Sequence, residues 1–274
     1  MTIVAAIQMA SGPNVQANLD QAERLIAEAV SQSAKLIVLP ENFSFMGKDD
    51  HERLSVAEDD GDGMVQNFLS AQAKKHEIWL VGGTVPIKSE VQGKIFSSCI
   101  LFNDKGERVA CYNKIHLFDA HLDEADERYA ESETALSGDE IVVVDTPFGK
   151  LGLAICYDLR FPEMFRTMVN EGMEICAIPS SFTAITGKAH WEVLLRARAI
   201  ENLCYVVAAE QGGYHVSGRE THGNSSIVNP WGTVLNYMGK GAGVVAAKID
   251  LDYLETTREH FPVLSHRRLA CRIS

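Results

Sequence analysis

Two hydrophobic periods alternate along this chain. Residues 2–9 alternate loosely and predict a strand, and 35–39 (KLIVL) form a short apolar run ended by Pro40. Between them Val15, Leu19, Ala22, Ile26, Ala29 and Val30 recur at three- and four-residue spacing, which predicts an amphipathic helix over 14–33. A helix over 64–76 and a strand over 78–85 come next. Two strands, 94–102 and 107–112, then flank the hairpin signal Asn103-Asp104-Lys105-Gly106. Further strands are expected at 141–145, 150–156, 174–178, 203–208, 226–228, 233–237 and 243–249, with helices over 162–172, 187–202 and 250–260. Residues 47–63 and 119–139 are charged and poor in apolar positions, and both read as loops. A loop as long as the second is usually functional or disordered. Gly239-Lys240-Gly241-Ala242-Gly243 lacks phosphate-loop spacing and reads as a hairpin turn. Strands alternating with helices, and hairpins between, predict a layered α/β fold with mixed sheet. Nothing resembles a linker or a repeat, so 1–274 is expected to be one domain.

Composition narrows the class. The 274 residues are 46% hydrophobic and 23% charged, which is ordinary for a protein with a sizeable core. The formal net charge of −12, with no basic block, disfavours nucleic acid and anionic membrane as partners. No apolar run approaches the ~18 residues of a membrane span, and residues 1–10 lack the cationic start of a signal peptide. The cysteines are Cys99, Cys111, Cys156, Cys176, Cys204 and Cys271; none forms a CxxC pair. A cytoplasmic protein with reduced thiols is expected. The nine histidines show no zinc spacing, so no metal is expected.

Three chemistry-bearing residues each sit just past an apolar strand: Glu41 after KLIVLP, Lys114 after RVACYN, and Cys156 at the end of KLGLAI. Alone, Cys156 reads as one more core cysteine, and Glu41 and Lys114 as solvated strand ends. Together they suit one chemistry, because loops at strand ends are held in register by a rigid sheet. A free thiol near pH 7 is only about 3% thiolate. Lys114 would lower its pKa, Glu41 would take its proton, and Lys114 with the backbone N–H of Tyr157 would receive the oxyanion. A Cys–His hydrolase with His222 as base is the competing thiol reading. His116 is read as a structural hydrogen-bonding residue.

The segments LPENF (39–43), NKIHLFD (113–119) and GLAICYDLRFPE (152–163) resemble the three signature regions of the nitrilase, or carbon–nitrogen hydrolase, superfamily. The likeness continues through 180–202, 223–234 and 261–268. Within the superfamily the wording is closest to the Nit branch, on the deaminated glutathione amidase side. The resemblance implies an α-β-β-α four-layer sandwich, usually a homodimer or larger, that needs no cofactor. It implies Glu41 as general base, Lys114 as stabiliser of oxyanion and intermediate, and Cys156 as nucleophile. A second family glutamate falls on Glu131, with Glu127 and Glu133 as competitors. Arg160 is a candidate clamp for a substrate carboxylate, against a structural salt bridge. Phe182 and Thr186 align with a loop that contacts the substrate's acid end. The expected reaction is hydrolysis of a small carboxylate-bearing amide, deaminated glutathione first, through a cysteine thioester with release of ammonia. The alternatives are α-ketoglutaramate, a nitrile, or a catalytically silent scaffold.

Overall fold

The computed structural model describes residues 1–122 and 127–269. Strand β1 (Thr2–Gln8) leads through helix α1 (Val15–Ser31) to β2 (Ala34–Val38). Asn14 caps α1, its side chain accepting the Ala17 N–H at 3.0 Å. Helix α2 (Met64–His76) precedes β3 (Trp79–Val81), β4 (Val85–Lys88), β5 (Ile95–Phe102) and β6 (Arg108–Asn113). A small hairpin, β7 (Asp119–Leu122) and β8 (Glu127–Ala130), lies before β9 (Val142–Thr146) and β10 (Gly149–Leu153). Helix α3 (Pro162–Asn170), β11 (Ile175–Ser180), α4 (Ala184–Asn202) and β12 (Tyr205–Glu210) follow. The last elements are β13 (Ser226–Val228), β14 (Val234–Tyr237), β15 (Gly243–Ile249) and α5 (Leu251–His260).

Among the described residues these strands form two large sheets. One runs β15-β1-β2-β3-β5-β4 with β6 on β5; the other runs β14-β13-β12-β11-β10-β9. The first sheet shows why its strands read as unbroken apolar runs. Val4, Ala6, Leu36 and Val38 point inward and pack in one core with Leu151, Leu153, Ile175 and Val207 of the second sheet. Their neighbours Ala5, Ile7, Ile37 and Leu39 point outward, into a second core under α1 and α2. Both faces of the sheet are covered, so both sets must be apolar. Trp191, Leu195 and Ala199 of α4 and Phe165 of α3 close the other side. The result is the expected four-layer α-β-β-α sandwich. Each fully buried Leu or Ile in such a core contributes about 1.5–3 kcal/mol, which makes the sheet pair a rigid frame.

Direction matters more than layering for the site. Strands β1, β2 and β3 are parallel, and β6 runs with them because it is antiparallel to β5, itself antiparallel to β3. In the second sheet β10, β11 and β12 are parallel. The carboxyl ends of β2, β6, β10, β11 and β12 supply the segments that line one cleft.

Several expectations need correction. The strand expected over 78–85 is two strands. Gly82 and Gly83 separate them, and β4 turns to pair antiparallel with β5. Gly83 is at φ +58°, and a Cβ there would stand 2.2 Å from the Pro40 carbonyl oxygen, so only glycine lets Pro40 and Glu41 pass so close. Residues 47–63 are not simply an exposed loop: a 3₁₀ helix, Asp50–Val56, buries Arg53. The expected loop at 119–139 contains the β7–β8 hairpin and a 3₁₀ turn at Glu131–Glu133; residues 123–126 of it lie outside the described residues. The 239–243 glycine segment is not a hairpin turn, because β14 belongs to one sheet and β15 to the other. Its carbonyls at Gly239 and Gly241 accept both Gln8 side-chain N–H bonds. Cys271 lies outside the described residues; Cys99, Cys111, Cys156, Cys176 and Cys204 are free thiols.

Candidate active site

The strand expected to end at Cys156 ends at Leu153. Ala154 and Ile155 continue extended, and Cys156 then opens a 3₁₀ turn, Cys156–Arg160, at φ +46°. A non-glycine residue in the left-handed region is strained, and such strain concentrates at functional sites. Asp158 holds the turn. Its Oδ2 accepts the Ile155 N–H at 2.8 Å and the Tyr112 hydroxyl at 2.6 Å, while Oδ1 accepts the His116 N–H at 3.0 Å. The His116 ring nitrogen Nδ1 lies 2.7 Å from the same oxygen, and the ring stacks on Phe161. One buried carboxylate thus ties the segment after β6, which carries Lys114, to the turn that carries Cys156. His116 serves this structural lock.

Lys114 is a buried lysine, 2% exposed, and its Nζ donates to Glu41 Oε1 and Glu131 Oε2 at 2.8 Å each. Glu41 Oε2 accepts the Ser181 hydroxyl at 2.5 Å, and its backbone carbonyl accepts from Gln211 at 2.9 Å. Glu131 is fixed by the Phe118 N–H at 2.8 Å and by Ser97, which also accepts from Arg53 at 2.7 Å. Arg53 Nη1 stands 3.8 Å from Glu131 Oε1. Two cations and two carboxylates therefore form a neutral buried network, the arrangement in which burial of charge is tolerated. Glu127 and Glu133 do not join it: Glu127 accepts from the Tyr129 hydroxyl and Glu133 sits 3.7 Å from Arg128.

Burial alone would drive the Lys114 pKa down. The charges of Glu131 and Glu41 outweigh it and hold the ammonium well above its usual value. Burial likewise opposes the Glu131 charge, but Lys114 and Arg53 more than compensate, and its pKa is lowered. Cys156 differs from expectation. Burial, then the Glu41 charge, push the thiol well above its usual value; Lys114 and the Ser181 N–H pull the other way but do not win. At rest Cys156 is a protonated thiol, so the lysine does not by itself supply a thiolate.

Glu41, Lys114, Glu131, Cys156, Tyr157, Arg160, Phe182 and Thr186 all line one cleft of about 950 Å³, its open mouth included. Tyr157 follows the thiol in the 3₁₀ turn and lines the same cleft. The Arg160 guanidinium lies 5.0 Å from the Phe182 ring centre and 5.7 Å from that of Tyr157, with Nη1 3.0 Å from His190 Nδ1. Among the described residues it has no carboxylate partner, so the structural salt bridge considered from sequence is not formed there. Thr186 lies in the first turn of α4 rather than in a loop, and Thr183 caps that helix. No histidine lines the cleft among the described residues. His222, the alternative base, has its Nε2 3.1 Å from the Asn224 side chain instead. No group of three His, Cys, Asp or Glu side chains among the described residues is placed to hold a metal ion. Sequence reasoning missed Arg53, Ser181, Arg219 and Asp158. The first three also line the cleft, and Arg219 lies 4.2 Å over the Tyr129 ring.

This sandwich, with a lysine between two carboxylates beside a strained cysteine, defines a nitrilase-type hydrolase. The chain belongs to the carbon-nitrogen hydrolase family, whose pattern matches residues 3–259, and within it to the Nit branch. A Synechocystis sp. protein named deaminated glutathione amidase is 41% identical over 269 residues, covering 97% of each chain. The crystal structure of the C. elegans NitFhit protein superposes with a TM-score of 0.90 at 39% identity, covering 97% of this chain and 65% of that one. Saccharomyces cerevisiae Nit3, described as a member of branch 10 of the nitrilase superfamily, superposes with a TM-score of 0.88 at 32% identity over 98% and 97% of the two chains. The protein is a hydrolase acting on amide carbon–nitrogen bonds.

Proposed function

We propose that this enzyme hydrolyses a small carboxylate-bearing amide through a cysteine thioester, with deaminated glutathione as the first candidate substrate. One observation carries the mechanism: Cys156 sits strained on its turn in the same cleft as the Lys114–Glu41 ion pair. Because the resting thiol is protonated, attack and deprotonation occur together. Glu41 accepts the Sγ proton as sulfur bonds to the amide carbon. Lys114 Nζ and the Tyr157 N–H receive the oxyanion. The carbon–nitrogen bond then breaks and Glu41 returns the proton to the departing nitrogen. In deaminated glutathione that nitrogen belongs to the cysteinyl residue and leaves as an amine, which corrects the ammonia expected from sequence for this substrate; in a primary amide it leaves as ammonia. Water, deprotonated by Glu41, attacks the thioester, and Cys156 leaves with a proton to restore the thiol. Glu131 keeps Lys114 oriented and charged.

The name of the Synechocystis relative supports this substrate class, and so does Arg160, a cation at the cleft with no carboxylate partner among the described residues. Phe182 and Thr186 would contact the same acid end. The reading carries a cytoplasmic location and a homodimer or larger assembly. Free thiols support the first. For the second, Val193 and Ile200 of α4, together with Trp231 and Phe261, leave large apolar side chains exposed. The test is a hydrolysis screen of deaminated glutathione, α-ketoglutaramate and a simple nitrile, with products read by mass spectrometry. Turnover of deaminated glutathione well above the other two is expected. Preference for α-ketoglutaramate or the nitrile would overturn the substrate assignment.

A further inference from the structure

Glu210 ends β12 with no exposed surface. Its Oε1 accepts the Phe182 N–H at 2.5 Å, and its Oε2 has no hydrogen-bond partner among the described residues. A buried carboxyl with an orphaned oxygen is costly, and far more costly when ionised. The cost falls at a particular place. Ser180 of β11 is the register partner of Glu210, and the chain turns from there into Ser181 and Phe182. Ser181 donates its hydroxyl to Glu41 Oε2 at 2.5 Å. Phe182 packs at 4.9 Å against Trp191 of α4 and lies under Arg160. Glu210 thus grips a segment that touches the base and lines the cleft.

We propose that Glu210 is a positioning acid behind the cleft, whose hydrogen bond to the Phe182 N–H sets Ser181 against Glu41. Among the described residues, the charge that acts on it is that of Glu41, from the segment after β2, and its own charge would act on Cys156, in the turn after β10. Its contacts on its own strand and on the segment before β13, Gln211 and Ser225, do not titrate. Burial and the Glu41 charge both favour the protonated form. Loss of that proton would place a second negative charge beside Cys156, where it opposes formation of thiolate. The enzyme should therefore lose turnover on the alkaline side as Glu210 ionises. This rests on the roles proposed for Glu41 and Cys156.

The test compares Glu210→Gln and Glu210→Ala with the wild-type enzyme on whichever amide of the screen the wild type hydrolyses. Cys156→Ala serves as a separate control for the nucleophile. The glutamine keeps an acceptor for the Phe182 N–H and cannot ionise. It should hold kcat at pH 7 within about threefold and flatten the alkaline fall of kcat. The alanine should lower kcat about tenfold or more while KM changes little, because positioning of reacting groups is lost. An alkaline limb in Glu210→Gln identical to wild type, or equal losses of kcat in both variants, would overturn the proposal. Either result leaves the dependence on Cys156 standing, so the two readings fail separately.

Discussion

A lysine ammonium stripped of water stays charged only through the carboxylates around it, and Lys114 has two at 2.8 Å. The pair divides the work. Glu131 is held by Lys114, Arg53, Ser97 and the Phe118 N–H, so its oxygens are saturated. Glu41 has fewer fixed partners and faces the cleft beside the thiol, which suits a group that must exchange protons. Glu41→Gln should lower kcat about 10²–10⁴-fold with KM changed only a few-fold. Near-normal turnover in steady-state kinetics would remove Glu41 as base and reopen a histidine mechanism. Glu131 makes a pH prediction. Its pKa is lowered in the folded protein, so its stabilisation is present above the unfolded carboxylate value near 4.3 and is lost as pH falls through the folded value. The melting-temperature gap between wild type and Glu131→Gln should therefore be full at pH 7 and shrink as pH falls below about 4. A gap that is constant across this range would show that the charge of Glu131 does not act as described.

At the scale of elements, the site depends on strand ends meeting at one edge. The apolar runs at 35–39 and 150–156 announced where those ends fall, because strands covered on both faces must be apolar throughout. Within 78–85 the pair Gly82-Gly83 is the signal of a break, overridden by the apolar residues on either side. The charged stretch 119–139 hid the β7–β8 hairpin for the opposite reason: its side chains are only partly buried or exposed, so alternation is faint. Glu41, Lys114 and Cys156 could be singled out because each follows an apolar run. Arg53 and Asp158 could not, because a buried charged residue looks like a solvated one until its distant partner is known, and Glu210, although it follows the apolar run 203–208, reads alone as a solvated strand end. Asp158 meets Tyr112 and His116, more than forty positions back in the chain. Gly83→Ala tests the local logic. The new Cβ would meet the Pro40 carbonyl oxygen at 2.2 Å, in a backbone region that costs about 1–3 kcal/mol for a non-glycine residue. Denaturant unfolding should show at least that loss, and kcat should fall as the clash displaces Glu41. Unchanged stability would mean that the close approach is not required.

At the scale of the whole molecule, two sheets present their strand ends to one cleft, while α4 turns Val193 and Ile200 outward on the opposite side from its buried Trp191, Leu195 and Ala199. Trp231 and Phe261 add an exposed edge-to-face pair with ring centres 5.4 Å apart. If this apolar surface joins two copies, Trp231→Glu should halve the mass seen by light scattering while leaving the fold intact. A wild-type protein that is already monomeric would end that reading. The central claim concerns covalent chemistry and is read on the intact chain. Wild-type enzyme mixed with deaminated glutathione and quenched within a turnover should gain the mass of the acyl group, localised to the peptide containing Cys156, and Cys156→Ala should gain none. Hydrolysis of the amide with no adduct at Cys156, or undiminished hydrolysis by Cys156→Ala, would contradict the mechanism.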